Sequence, residues 1–178
     1  VVNTCCFIGD VKEESIEHLL RLGELRSGGS LKALIAAGCL AQRYREEIQK
    51  EIPEVDAIVG TTAIDEIAQA VQEVLQKRSG CYFRDVDAAP LTGRKRIVTT
   101  GGHYAYLKIA EGCDKHCTYC IIPKVRGRYR SLPMESLLAE ARMLAEGGVR
   151  ELILVAQETT LYGVDLYGEK SLHKLLHA

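Results

Sequence analysis

The chain reads as an α/β protein in two parts: a partial parallel sheet with packed helices over residues 1–78, a linker over 79–101, and the start of an α/β (TIM-like) partial barrel over 102–178. Three observations lead there. Apolar runs of strand length alternate with stretches of 3.6-residue periodicity, the pattern of successive β-α-β units. Glycine or proline marks most of the boundaries between them. With 178 residues and 47% hydrophobic side chains, there is enough apolar material for one domain or two small ones.

Val1 to Asn3 has the character of a buried strand, and Asp10 with Glu13 has the spacing of a capping box for a helix carrying Ile16, Leu19 and Leu20 on one face. Gly28-Gly29 ends that helix. Leu31 to Ala37 is expected to be a strand, Ala41 to Glu51 a helix stopped by Pro53, and Val55 to Val59 a third strand. Thr62 is placed to cap a helix whose Ile64, Ile67, Ala68, Val71, Val74 and Leu75 follow the i, i+3, i+4, i+7 spacing. From about Lys77 to Gly102 periodicity fades. That stretch holds the basic triplet Arg94-Lys95-Arg96 and reads as linker, with a short strand near Ile97. Tyr104 to Ala110 alternates as a strand, and a cysteine-rich loop follows it. After Pro133 comes a helix from Met134 to Glu146, closed by Gly147-Gly148, then a strand from Glu151 to Ala156 and a helix from Ser171 to Ala178.

Net charge is −1 and the sequence pI about 6.6, so no global field favours nucleic acid or an anionic membrane. No apolar run approaches the roughly 20 residues that span a bilayer. A soluble cytoplasmic protein without a membrane segment is expected. The chain opens on Val1 rather than Met and stops within an expected helix, so it reads as a piece of a longer protein lacking both ends. Seven cysteines suit a metal centre better than disulfides in a reducing compartment.

Cys113, Cys117 and Cys120 lie in Glu-Gly-Cys-Asp-Lys-His-Cys-Thr-Tyr-Cys, just after an expected strand. Three thiolates leave a cubane 4Fe-4S cluster one ligand short, and an open iron is a reactive position. Loops at the carboxyl ends of parallel strands are also where such folds keep their active sites. A zinc site completed by His116 or His103 is the alternative. In the first part, Cys5 and Cys39 each follow an expected parallel strand. If those strands are neighbours, the two thiols meet at one edge of the sheet. Lys124, Arg126, Arg128 and Arg130 form a basic stretch that serves either as a solvated loop or as a contact to a protein partner or RNA.

Cys-x3-Cys-x-aromatic-Cys, with Tyr119 as the aromatic, resembles the signature of radical S-adenosylmethionine (SAM) enzymes. Val-Asn-Thr-Cys-Cys-Phe-Ile, Ala-Gly-Cys-Leu-Ala-Gln-Arg-Tyr and Ile-Pro-Glu-Val-Asp-Ala-Ile-Val-Gly extend the likeness to the radical SAM methylthiotransferases over nearly the whole chain. The resemblance implies a SAM-binding 4Fe-4S cluster on Cys113, Cys117 and Cys120, with Tyr119 near the adenine. It implies a second, auxiliary 4Fe-4S cluster, of whose three ligands Cys5 and Cys39 match two; the third belongs to a strand before Val1. Cys6 stands where the family usually has a small residue, and Cys81 reads as a bystander.

Phe7-Ile8 and the run from Val155 to Gly168 are similar to the type that modifies an aspartate of a small-subunit ribosomal protein. Methylthiolation of its β carbon is the activity this implies, with a flavodoxin or ferredoxin-like donor of low-potential electrons. The alternatives are the same chemistry on adenosine in transfer RNA, and a non-catalytic zinc or iron-sulfur protein. Gln157 and Glu158, at the end of the second barrel strand, are candidates to approach SAM, or else a polar strand end.

Overall fold

The computed structural model describes residues 1–93 and 96–178, so Arg94 and Lys95 of the basic triplet lie outside the described residues. The chain divides into two compact units, one of residues 1–88 and 117–126, the other of residues 89–116 and 127–178. The expected α/β class holds in both.

The first unit is a four-stranded, wholly parallel sheet: β1 (Val2–Thr4), β2 (Ile35–Gly38), β3 (Ala57–Val59) and β4 (Gly80–Tyr82), in that spatial order. All four residues of β2 are buried, because helices cover both of its faces. Side chains of successive strand residues point to opposite faces, so the sheet has two cores. Ala36 and Ile58 join Leu19 of α1 (Gly9–Ser27), Leu40 of α2 (Cys39–Arg43) and Ile48 of α3 (Arg45–Glu51). Ile35, Ala37, Ala57 and Val59 join Ala70 and Val74 of α4 (Ile67–Leu75). Complete burial of a side chain such as Leu19 contributes about 1.5–3 kcal/mol.

Several boundaries differ from the sequence expectation. Asp10 lies inside α1; Ile8 is the N-cap, with no side-chain capping bond, so Asp10 acts only as a negative charge in the first turn. The expected helix 41–51 starts earlier, at Cys39, and breaks at Tyr44 (φ −117°, ψ 37°). The break turns the Tyr44 ring toward the first core, with the Arg43 guanidinium 4.8 Å from its centroid. The Thr62 hydroxyl donates to the Arg84 carbonyl instead of capping, and a 3-10 turn over Ile64–Glu66 leads into α4. Within the expected linker, β4 completes the sheet. It is anchored by the Tyr82 hydroxyl, which donates to Glu73 Oε2 at 2.6 Å; that carboxylate, with burial, pushes the phenol up to about 12. Ile97 is 90% exposed and lies outside any strand.

In the second unit β5 (Tyr104–Lys108) pairs in parallel with β8 (Glu151–Val155), and α6 (Met134–Glu146) connects them as expected. The expected strand 104–110 ends early because Ile109 changes partners. Its amide donates to Val155 O at 3.0 Å, while its carbonyl accepts from Leu132 N at 2.9 Å. The chain then continues as β6 (Ala110–Glu111), antiparallel to β7 (Arg130–Ser131). Beyond β8, Asp165 accepts from both the amide and the hydroxyl of Ser131 (2.8 and 2.6 Å), and buried Tyr162 donates to Leu132 O. The run 157–168 is therefore folded back on β7.

Candidate metal centre and its flanking residues

Cys113 belongs to the second unit, and four interactions there shape its segment. Gly112 adopts φ +79° and passes so close to β7's approach that a Cβ would lie 2.0 Å from Arg128 O. Its amide donates to Gln157 Oε1 at 2.9 Å, and the Cys113 amide donates to Gly127 O at 3.1 Å. Asp114 Oδ1 accepts from Tyr129 N at 3.1 Å, and Lys115 is ion-paired with Glu158. Hydrogen bonds from Lys115 and from the Thr160 hydroxyl and amide hold the Glu158 carboxyl down at about 2. Gln157 and Glu158, expected at the end of the second barrel strand, thus bracket Cys113 on its two sides.

Cys117 and Cys120 belong to the first unit, as does the short helix α5 (Ile122–Arg126) that follows them. The Cys120 amide donates to Cys117 O at 2.9 Å, closing a tight turn. Tyr119 within that turn is 89% exposed. The basic stretch is divided between structural elements: Lys124 and Arg126 are on α5, Arg130 is on β7. Arg128 offers its carbonyl to Arg130 Nη1 at 2.9 Å.

The other thiol pair is where strand adjacency was expected to bring it. Thr4 and Gly38 are register partners in the parallel β1/β2 pair, so Cys5 and Cys39 leave neighbouring strands at the same edge. Thr4 Oγ1 donates to Ala37 O at 2.6 Å and accepts from Ala41 N at 3.2 Å, satisfying one free amide of α2's first turn. Cys5 is exposed, while Cys6 and Cys39 are buried in one core cluster. Burial, followed by the neighbouring Cys39, pushes the Cys6 thiol up. A cavity of about 330 Å³ opens beside this edge, lined in part by Asn3, Gly38, Thr61 and Arg126. Cys81, on β4, accepts a hydrogen bond from Gln49 Nε2 at 3.2 Å.

Among the described residues no three His, Cys, Asp or Glu side chains are gathered as a ready metal site. The chemistry of the donor set nevertheless fits an iron-sulfur cluster. All seven cysteines are free thiols, and those at 113, 117 and 120 are at least partly exposed. Among other donors, Asp114 Oδ1 already accepts from the Tyr129 amide, His103 directly precedes β5, a strand's length from the loop, and His116 lies within the loop itself. A thiolate-only set suits iron-sulfur chemistry better than a mixed zinc site.

Residues 1–60 match the family described as "Uncharacterized protein family UPF0004", and residues 107–176 match the "Radical SAM superfamily". The chain is 62% identical over 176 residues to "Ribosomal protein uS12 methylthiotransferase RimO" of Lachnoclostridium phytofermentans, covering 99% of this chain and 40% of that protein. Proteins of the same name from Clostridioides difficile and Clostridium tetani are 48% and 46% identical over 176 residues, with 99% of this chain and 40% and 39% of theirs covered. The chain belongs to the radical SAM methylthiotransferase family. It spans about two fifths of the length of these curated relatives. Membership in this family carries 4Fe-4S and SAM chemistry with it. No helix among the described residues is long and apolar enough to cross a membrane.

The sequence analysis does not single out Gly112, although a glycine directly before the first cysteine is a readable signal.

Proposed function

We propose that the protein containing this chain is a cytoplasmic radical SAM methylthiotransferase that adds a methylthio group to the β carbon of an aspartate in ribosomal protein uS12. The 62% identity to a relative bearing that name, across 99% of the chain, carries the reading. Cys113, Cys117 and Cys120 would hold one 4Fe-4S cluster and leave its fourth iron for SAM. Cys5 and Cys39 would provide two thiolates to a second cluster, with the third from outside this chain. Bound there, the clusters and SAM supply a radical able to take hydrogen from an unactivated carbon, together with sulfur and a methyl group, chemistry that side chains alone do not reach.

The residues of the chain have positioning tasks. Tyr119 offers an exposed ring to the adenine, and Gln157 and Glu158 stand beside the Cys113 segment, where they are proposed to approach SAM as well. A flavodoxin or ferredoxin-like protein is the proposed electron donor.

The test uses the intact protein, reconstituted anaerobically with iron, sulfide, SAM, a reductant and purified uS12. The expected result is uS12 heavier by one methylthio group, with deoxyadenosine formed, and neither product from Cys117→Ala. A Cys117→Ala variant as active as wild type overturns the reading. Product on transfer RNA instead of uS12 transfers the activity to adenosine, and bound zinc without iron or labile sulfide replaces it with a non-catalytic site.

A further inference from the structure

Two hydrogen bonds in the first unit tie the helix that begins at Cys39 to the segment that carries Cys117 and Cys120. Gln42, in α2, accepts from the Thr61 amide at 3.0 Å through Oε1. The Thr61 hydroxyl stands 3.4 Å from the same oxygen, but it has a single proton, and the Val125 carbonyl at 2.9 Å is the closer acceptor. Glycine at position 60 admits the Gln42 side chain, because a Cβ there would lie 2.4 Å from Gln42 Oε1 and 2.7 Å from the Phe83 ring. Val125 is 2% exposed and packs in the same core cluster as Cys39, Leu40 and Ala41, with Ile121 against it.

The helix α5 has five residues, too few to be stable by itself, so it takes its position from what it packs on. Apolar packing is non-directional and leaves such a helix free to slide; a directed hydrogen bond at its carboxyl end fixes the register. We propose that Thr61 and Gln42 are positioning residues that set the span between Cys39 and Cys120, and so between the two clusters of the proposed methylthiotransferase. This rests on the two-cluster reading above. Sulfur held at one cluster must meet a carbon activated at the other, and a 1 Å misplacement of reacting groups costs on the order of 100-fold in rate.

Thr61→Val removes the hydroxyl while keeping shape, Thr61→Ser restores it, and Gln42→Ala cuts the other end. Hydrogen exchange is read first, on the intact protein without clusters. Amides of Ile121, Ile122, Lys124, Val125 and Arg126 are expected to exchange about fivefold faster in Thr61→Val and Gln42→Ala, and at the wild-type rate in Thr61→Ser. In the reconstituted protein, Thr61→Val is expected to keep its iron and sulfide and to form about tenfold more deoxyadenosine per methylthiolated product. Unchanged exchange in both disrupting variants overturns the proposal. So does a fall of deoxyadenosine and product in equal proportion, which marks a merely structural role. If wild type forms no methylthiolated product, the functional reading fails, and the exchange rates alone still decide whether Thr61 and Gln42 anchor α5.

Discussion

Gly112 determines where Cys113 can stand. A side chain at 112 would collide with the Arg128 carbonyl at 2.0 Å, and the φ of +79° is itself strained for any residue with a Cβ. Gly112→Ala is expected to destabilise the fold by about 2 kcal/mol or more and to lower iron loading, read by urea denaturation and by iron analysis. The cysteines themselves were legible, because their spacing is local and the need for thiolate is chemical. The grip on them was not. Gln157 reaches the Gly112 amide across 45 residues of sequence, and Lys115 pairs with Glu158 from beyond β8. Glu158 was readable as a polar strand end, but its ion pair with the cysteine loop was not.

Among the elements, α1, β2 and β3 are joined by one carboxylate. Asp56 takes Arg26 Nε at 2.9 Å and Nη2 at 3.0 Å, and also the Leu34 amide at 2.8 Å. Partial burial by itself would raise the Asp56 carboxyl; the hydrogen bonds from Arg26 and Leu34 outweigh it and hold the group below the usual carboxylate range. The folded-state value is therefore lower than the unfolded one. Its stabilisation is present above the ordinary aspartate range, near pH 4, and is lost as pH falls through the depressed value. Asp56→Asn is expected to lower Tm by about 2–8 °C at pH 7, a gap that narrows toward pH 3, as thermal melts of both proteins would record. Strands and helices were legible where burial repeats, as in α4 and α6. Their ends were not: Asp10 had the spacing of a capping box, yet the helix starts at Gly9 and leaves it in the first turn.

At the scale of the whole molecule, the cysteine segment passes from one compact unit to the other between His116 and Cys117. The two thiol sets proposed to hold clusters, Cys113, Cys117 and Cys120 on one side and Cys5 and Cys39 on the other, share no residue, so each is expected to load by itself. Cys117→Ala and Cys39→Ala in the intact protein are each expected to lose about half of the reconstituted iron, and the double variant nearly all of it, by iron and sulfide analysis. The amino-acid order by itself determined the α/β class and the Cys-x3-Cys-x2-Cys loop after a strand and, given that β1 and β2 are neighbours, that Cys5 and Cys39 leave the sheet at the same edge. These depend on short-range periodicity, on ligand chemistry and on the rule that neighbouring parallel strands end at one edge. Only the tertiary structure decided that β4 closes the first sheet, that Ile109 exchanges one strand partner for another, and that Gln42 and Thr61 hold α5 against the Cys39 helix. Each of these depends on a hydrogen bond between residues distant in the chain, whose partner is chosen by packing and leaves no periodic trace in the sequence.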